Sequence, residues 1–180
     1  MSACATDGAE TLSDVSFTLS AGSFYFVTGA SGAGKTSLLR LLYLAQRPTR
    51  GIVRLFGEDA GALPRKRLPG FRRRIGGSRF RQAADAVGRR AAAHRDRACR
   101  HHPAEILIAD EPTGNVDPDM AERLLHLFDS LNRLGTTVVV ATHDFQLISR
   151  IPDARMMRIE KGRLNDPTGA LRYPPGQAPA

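Results

Sequence analysis

The stretch GASGAGKT at residues 29–36 decides the fold of this chain, because it matches the pattern G-x-x-x-x-G-K-[S/T] at every position. Before it, Phe24–Thr28 (FYFVT) consists of aromatic and β-branched residues, as a buried strand does. After it, Lys35–Leu44 (KTSLLRLLYL) has apolar residues at helical spacing. A glycine-rich loop between a strand and a helix is the setting in which this pattern wraps around phosphate groups. The sequence therefore predicts a P-loop α/β fold.

The loop residues have separate predicted roles in binding a nucleoside triphosphate. Glycines allow the backbone to curl, so that several N–H groups point inward at phosphate oxygens. Lys35 is expected to reach the β- and γ-phosphates, and the Thr36 hydroxyl is expected to bind Mg²⁺. A glycine-rich turn with a chance lysine is the alternative, which the flanking strand and helix disfavour. The predicted nucleotide-binding residues are Gly29, Ala30, Ser31, Gly32, Ala33, Gly34, Lys35, Thr36 and Ser37.

A second apolar strand, at Glu105–Asp110 (EILIAD), ends in an acid and is followed by Glu111. Beside a P-loop, Asp110 is predicted to hold Mg²⁺, usually through water, and Glu111 to polarise the attacking water. The alternative is a solvated acidic pair at a strand end, and the complete P-loop disfavours it.

His143 directly follows a third apolar run, TTVVVAT at Thr136–Thr142. A lone histidine is more often structural than functional. At a third strand end, however, His143 is placed to reach a γ-phosphate and to hold the water and Glu111 in position. The predicted catalytic residues are therefore Glu111 and His143.

Continuous apolar strands that alternate with helices predict a parallel sheet covered on both faces, with ligands beyond the strand C-termini. A hairpin around the turn Lys161–Gly162 adds a small antiparallel part. One domain is expected over residues 1–165, whereas residues 166–180 are rich in Pro and Gly and are expected to be disordered. The other predicted elements are strands at Val15–Ser20, Ile52–Phe56 and Met156–Ile159 and a helix at Met120–Leu134.

The net charge of +8 is concentrated in one segment. Residues 65–100 contain 13 of the 26 Lys and Arg residues but only two acids, Asp85 and Asp96. Such a block is typical of a nucleic-acid or anionic-lipid surface, so a non-enzymatic basic binding module is one alternative. No aromatic interleaving accompanies the charge, and no nucleic-acid partner is predicted.

The P-loop, ADEPTGN at 109–115 and ATHD at 141–144, in this order, resemble the ABC ATPase family. The resemblance covers residues 12–165 apart from the middle. TGASGAGKTSLLRLLYLAQRPTRG at 28–51, FRRRIG at 71–76 and MMRIEKGRL at 156–164 are similar to the cell-division (FtsE) branch. The resemblance implies an ATP-binding, ATP-hydrolysing domain with Mg²⁺. The lipoprotein-release and export branches, which have similar motifs, remain alternatives.

The same resemblance implies partners and a location. FtsE-type ATPases pair with an FtsX-like integral membrane protein, and intact family members close as homodimers around ATP. A peripheral position on the cytoplasmic face of the bacterial inner membrane follows. No apolar run approaches the roughly 20 residues that span a bilayer, so no direct membrane span is predicted.

The chain departs from the family pattern in its middle. It has no LSGGQ-like signature and no glutamine after a strand following Ile75, and the helical subdomain is expected to be largely missing. No aromatic residue that could stack on adenine precedes Leu12. We therefore expect nucleotide binding with little hydrolysis, or else a remnant that folds poorly.

A shifted reading frame explains this departure. Permitted codons for Ala86–Ala104 (AVGRRAAAHRDRACRHHPA), read one base later, encode LSGGEQQRIAIARAVITRP, which is an ABC signature with its helix. We interpret residues 77–104 as out of frame, with a deletion upstream. GC-rich DNA read off-frame gives Arg, Ala and Gly, which accounts for the basic block.

Overall fold

The computed structural model describes residues 4–6, 9–77, 104–114 and 116–165. The helices are α1 (Lys35–Leu42), α2 (Leu68–Arg74), α3 (Pro118–Arg133) and α4 (Phe145–Ser149). The strands are β1 (Cys4–Thr6), β2 (Ala9–Leu12), β3 (Phe24–Thr28), β4 (Arg54–Leu55), β5 (Glu58–Asp59), β6 (Ile75–Gly77), β7 (Ile106–Asp110), β8 (Thr137–Ala141), β9 (Arg155–Glu160) and β10 (Arg163–Leu164).

A six-stranded sheet in the order β10-β9-β3-β8-β7-β6 forms the centre of the domain. Strands β9, β3, β8, β7 and β6 run parallel, and β10 pairs antiparallel with β9. The pairs β1–β2 and β4–β5 form two small antiparallel sheets. The predicted parallel core with a small antiparallel part is therefore confirmed.

Successive residues of the central strands enter two separate cores, one on each face of the sheet. In β3, Tyr25 and Val27 pack in the core that contains α1, whereas Phe24 and Phe26 pack in the core that contains α3. The same alternation holds in β8, where all five residues are buried. Burial on both faces explains why these strands read as continuous apolar runs instead of alternating ones.

Local signals set the bounds of α3. The Asp117 carboxylate accepts a hydrogen bond of 2.8 Å from the Met120 N–H, and Pro118 occupies the first turn, where it needs no N–H partner. The helix ends before Gly135, whose φ of 95° suits a residue without a Cβ. Its apolar face, Leu124, Leu125 and Phe128, is buried against the sheet.

One predicted strand is wrong. Val15–Ser20 is not in a strand, although its alternation is real, because Val15 is buried and Phe17 and Leu19 pack against the same core as α1. These residues pack along that core without joining a ladder. The predicted strand at Ile52–Phe56 is reduced to β4, because Phe56 and Gly57, both with positive φ, turn the chain into β5.

Arg74 ties α2 to the strand that carries the candidate acids. Its Nε and Nη2 lie 2.7 and 2.9 Å from the two carboxylate oxygens of Glu105, and its guanidinium lies 3.7 Å from the ring centroid of Phe56. The Glu105 N–H also donates to the Arg74 carbonyl at 2.8 Å. The hydrogen bonds to Glu105 raise the pKa of Arg74 above its usual value.

Two predictions fall mostly outside the described residues. The segment 77–104 is described only at its two ends, and the tail 166–180 not at all. Within the described ranges the helices pack on the sheet and none forms a separate helical subdomain. No helix in these ranges is both long and apolar enough to cross a bilayer.

Candidate functional site

The predicted site residues follow three parallel strands that are neighbours in the sheet. The loop 29–36 follows β3, Glu111 follows Asp110 at the end of β7, and His143 follows β8 after one residue. Because the carboxyl ends of parallel strands share one edge, these side chains meet there. Asp110 is opposite Ala141 in the β7–β8 register, which fixes the two strand ends at the same level.

Glycine is required at the start of the loop. Gly29 has a φ of 145°, and a Cβ there would lie 2.2 Å from the backbone oxygen of Ile159 in β9. Gly32 and Gly34 also have positive φ, 77° and 112°. Gly34 is the N-cap of α1 and has no side chain that could accept a hydrogen bond from the first turn. The first N–H groups of the helix therefore have no side-chain cap and face the loop. Together these features form an anion-binding concavity.

Lys35 is 9% exposed and its ammonium lies inside the loop. Nζ donates to the carbonyl oxygens of Gly29 at 2.7 Å and Ala30 at 3.2 Å. It also lies 3.8 Å from Oε1 of Glu111. A positive charge is therefore held beside the backbone amides, where a phosphate chain would lie.

The Thr36 hydroxyl donates to Oδ2 of Asp110 at 2.9 Å. This contact joins the first turn of α1 to the end of β7. A hydroxyl and a carboxylate are the oxygen ligands that Mg²⁺ accepts, and it usually binds through one or two carboxylates plus phosphate. The two residues therefore fit a magnesium ion at the phosphate end of the loop.

Glu111 and His143 form a second pair at the same edge. Nδ1 of His143 lies 3.0 Å from both carboxylate oxygens of Glu111. Glu111 has a φ of 45°, unusual for a residue with a Cβ, and its N–H donates to the carbonyl of Ala141 at 2.9 Å. The strained backbone turns this carboxylate back toward the loop, and such strain is typical of functional sites.

The residues around His143 anchor it in the fold. Thr142 is fully buried, and its N–H donates to the Val27 carbonyl at 3.1 Å. Asp144 caps α4 by accepting from the Gln146 N–H at 2.9 Å. The histidine ring itself is mostly exposed, with 74% of its side chain accessible. A rigid backbone thus presents an accessible imidazole next to Glu111.

The structure brings the predicted site residues together, and the remaining predicted residues of the loop and of the first turn of α1 lie next to them. Ala30 and Ser31 are exposed at the mouth of the loop. Ala33 is buried, and its carbonyl accepts from the Gly162 N–H at 3.1 Å. Ser37 is half-buried in the first turn of α1.

Sequence reasoning missed a cleft on the other flank of the loop. It lies between residues 29–33 and the β9–β10 hairpin, has a volume of about 740 Å³ and is lined by Arg158, Lys161, Arg163 and Asn165. The sequence around the Lys-Gly turn at 161–162 indicates only a hairpin. Its nearness to the loop depends on β9 pairing with β3, which no local pattern reveals.

Comparison with known proteins identifies the family of this chain. The profile of the ABC transporter family matches residues 12–91. The cell division ATP-binding protein FtsE of Escherichia coli K12 is 32% identical over 210 residues, covering 90% of this chain and 93% of the relative. Since the chain has 180 residues, the relative contains positions without a counterpart here.

Other relatives agree. FtsE of Bacillus subtilis is 26% identical, covering 87% of this chain and 88% of the relative. The dimeric post-hydrolysis structure of the ATP-binding cassette MJ0796 with ADP and Pi has a TM-score of 0.70 at 21% identity, covering 91% and 93% of the two chains. The similarity to this solved structure shows that the two chains share a fold. The P-loop, the paired acids and the similarity to these relatives show that the chain belongs to the ABC transporter family of ATP-binding proteins.

Proposed function

We propose that this chain is the Mg-ATP-binding subunit of an FtsE-type complex in bacterial cell division. The observation that carries the proposal is the convergence of Lys35, Thr36, Asp110, Glu111 and His143 at one sheet edge, beside one glycine-rich loop. The FtsE relatives support the division branch over the lipoprotein-release and export branches.

Each P-loop residue has a role that follows from its position. The backbone N–H groups of Gly29–Gly34 and of the first turn of α1, including Ser37, cradle the phosphates. Lys35 turns its ammonium from the carbonyls of Gly29 and Ala30 toward the β- and γ-phosphates. The exchange replaces neutral acceptors by charged ones, which makes stronger hydrogen bonds.

Thr36 and Asp110 would hold the magnesium ion. When bound, the ion neutralises charge on the phosphate oxygens. The chain's own contribution is to keep a hydroxyl and a carboxylate 2.9 Å apart, so that both face the same point.

Glu111 and His143 would position the water that attacks the γ-phosphate. The Glu111 carboxylate accepts a hydrogen bond from that water and orients its lone pair, as a general base does. His143, in contact with both oxygens of Glu111, fixes the carboxylate and offers its other ring nitrogen toward the γ-phosphate. His143 therefore acts chiefly as a positioning residue for Glu111.

Hydrolysis by this chain is expected to be slow. Intact family members supply an LSGGQ-like signature from a second subunit, and the sequence of this chain has none. Donors that stabilise transition-state charge typically contribute about 100- to 1,000-fold in rate each. Phosphate release from purified protein should stay near background while ATP binding persists. Robust turnover that Lys35→Ala abolishes would contradict this expectation.

The partner proposed for this subunit is an FtsX-like integral membrane protein, with the ATPase as one of a pair at the cytoplasmic face of the inner membrane. This proposal rests on the FtsE resemblance. Co-purification with the membrane protein encoded beside it tests the division branch. A neighbouring gene for an exporter or lipoprotein-release permease would favour the alternative.

We also propose that residues 77–104 are read out of frame. Support comes from the shifted reading of Ala86–Ala104 as an ABC signature, and from the longer alignment of the FtsE relative. Sequencing the DNA tests this directly. Codons that allow LSGGEQQR in the shifted frame are expected, and codons that forbid it would end the proposal.

A further inference from the structure

Among the described residues, positive charge is concentrated in one segment. Residues 40–74 contain ten Lys and Arg residues and two acids, whereas the other described residues contain eight and twelve. The segment begins in α1 and includes the β4–β5 hairpin and α2. A cluster of about four to eight basic residues on one surface is typical of proteins that bind anionic lipid.

Residues 40–74 pack together as one lobe, which we call the basic lobe. Nη2 of Arg72 donates to the Leu44 carbonyl at 2.7 Å, and Nη2 of Arg47 donates to the Leu63 carbonyl at 3.3 Å. These contacts fix α2 and the loop before it against the chain that leaves α1. The apolar side chains of the lobe join the core on the α1 face of the sheet, whereas α3 packs on the opposite face. The exposed basic side chains therefore belong to one compact part of the domain.

The acids of the basic lobe do not neutralise it. The two terminal guanidinium nitrogens of Arg67 lie 2.7 and 2.9 Å from the carboxylate oxygens of Glu58, and Asp59 accepts a backbone N–H at 2.8 Å. Outside the lobe, the nearby Glu105 is bound through both oxygens by Arg74. Within the described ranges, the exposed basic side chains of the lobe that form neither an ion pair nor a hydrogen bond are Arg40, Arg50, Arg54, Arg65 and Lys66. These charges are available to an anionic partner.

An apolar side chain is exposed between two of these arginines. Ile52 is 52% exposed, and Arg50 and Arg54 flank it two positions away on either side. The intervening Val53 and the following Leu55 are buried in the core, which leaves Ile52 and Arg54 on the outer side. Arginine side chains beside an exposed apolar one suit the boundary between phosphate headgroups and acyl chains, where each finds its own surroundings.

The aromatic side chains of the basic lobe favour lipid over nucleic acid. They are Tyr43, Phe56 and Phe71, and none of the three is exposed. Phe71 is buried, and the guanidinium of Arg74 lies 3.7 Å from the ring centroid of Phe56. Surfaces that bind single-stranded nucleic acid stack the bases on accessible aromatic rings. A lobe with an exposed isoleucine and covered rings fits a bilayer surface better.

We propose that the basic lobe binds the surface of an anionic phospholipid bilayer, with its free guanidinium groups on headgroup phosphates and Ile52 at the acyl boundary. The contact requires neither nucleotide nor a membrane protein, so it goes beyond the proposed function. Each basic residue close to such a surface contributes about fivefold to the partition constant. Several free charges acting together therefore suffice for reversible attachment.

Co-sedimentation of the purified full chain with vesicles tests the proposal. Vesicles of phosphatidylglycerol and phosphatidylcholine in equal parts should bind the wild type, and pure phosphatidylcholine vesicles should not. Binding should weaken as NaCl rises from about 0.1 M to about 0.5 M. The double variant Arg65→Gln/Lys66→Gln should lower the partition constant by about ten- to thirtyfold. The matched control Arg123→Gln/Arg163→Gln, which removes two exposed charges outside the lobe, should stay within about twofold of wild type.

Ile52→Ser separates a lipid surface from a ligand held by charge alone. It should weaken vesicle binding by about three- to tenfold, because less apolar area is buried at the acyl boundary. Circular dichroism checks that each variant is folded. If Ile52→Ser has no effect and the wild type binds duplex DNA more tightly than vesicles at equal phosphate concentration, the lobe is a nucleic-acid surface instead.

Two further results would overturn the proposal. One is folded wild-type protein that does not bind the anionic vesicles, and the other is an equal loss of binding in the control variant. The outcome is distinguishable from that of the proposed function. A chain that binds anionic vesicles but no Mg-ATP would contradict the proposed function alone.

Discussion

Nζ of Lys35 lies 3.8 Å from Oε1 of Glu111, so the loop's lysine and the predicted catalytic acid form an ion pair across the site. Nucleotide binding must divide this pair, because Lys35 turns to the phosphates and the Glu111 carboxylate is left near further negative charge. The negative charges of the carboxylate and of the phosphates, held a few ångströms apart, repel each other strongly enough to lower nucleotide affinity. The pair therefore opposes ATP binding in the wild-type protein.

Glu111→Gln should accordingly tighten Mg-ATP binding, by roughly three- to tenfold. Calorimetric titration at low and high salt measures this change, which should shrink as salt rises. Glu122→Gln, which removes a charge from the exposed side of α3, should leave the affinity unchanged. Weaker binding by Glu111→Gln would mean that the carboxylate supports nucleotide binding instead of opposing it.

Asp110→Asn should uncouple nucleotide affinity from magnesium. In the wild-type protein, Mg²⁺ should raise ATP affinity by about tenfold or more, since Thr36 and Asp110 bind the ion together with the phosphates. In the variant, titrations with Mg²⁺ and with EDTA should agree within about twofold. Asp59→Asn is the matched control, because an asparagine oxygen can still accept from the Gly61 N–H. A magnesium effect that survives Asp110→Asn would move the metal site elsewhere.

Gly29→Ala should destabilise the fold as well as the site. A Cβ would lie 2.2 Å from the Ile159 carbonyl oxygen at a φ of 145°, and backbone must shift to admit it. We expect a loss of at least about 2 kcal/mol in the free energy of unfolding in urea.

Gly70→Ala is the control for the same chemical change. Gly70 lies in α2 with nothing within 4 Å of an added Cβ. Alanine there should stabilise the chain by about 0.5–1 kcal/mol. Opposite signs for the two substitutions are the expected result, and similar small effects would show that the loop is not confined against β9.

The Arg74–Glu105 pair should contribute to stability beyond a usual surface ion pair. Arg74→Ala should lower the free energy of unfolding by about 1 kcal/mol, because a bidentate pair and a ring contact with Phe56 are lost together. Part of the loss should persist at high salt, since the ring contact remains when ion pairs are screened. Arg65→Ala, on an exposed arginine before α2, should be near neutral.

The pH dependence of this pair follows from the raised pKa of Arg74. A group whose pKa is raised in the folded state contributes stability below its unfolded pKa and loses it as pH rises through the folded value. For arginine both values lie far above neutrality. The difference between wild type and Arg74→Ala should therefore stay constant as pH rises from neutral into the mildly alkaline range.

The elements that the sequence predicts well are those buried on both sides. Phe24–Thr28 is β3 to the residue, and the runs at 105–110 and 136–142 are β7 and β8 within one residue at each end. Their uninterrupted apolar sequences indicate a parallel sheet that is covered on both faces. In such a sheet the strands' carboxyl ends share one edge, so the motifs that follow them are expected to lie close together. The meeting of Thr36 with Asp110, 74 positions apart, was foreseeable for that reason.

Other elements depend on contacts that no local pattern shows. Helix α2 has Pro69, Gly70 and three arginines and buries only Phe71, so it has no apolar period to detect. Val15–Ser20 has a strand's alternation but no partner strand among the described residues. The Arg163 side chain does not pair with Glu160, its neighbour across the ladder, because Arg158 and Asn165 bind the two carboxylate oxygens, and no local sequence pattern shows this packing.

Equilibrium binding of Mg-ATP to the purified, folded chain and to its Lys35→Ala variant tests the P-loop assignment most directly. Wild type should bind saturably, one nucleotide per chain, with a Kd of about 1 mM or tighter, and Lys35→Ala should bind about ten- to a hundredfold more weakly. Lys66→Ala, which removes an exposed lysine before α2, should match wild type. Folded wild-type protein without affinity for Mg-ATP, or equal affinity in Lys35→Ala, would contradict the assignment.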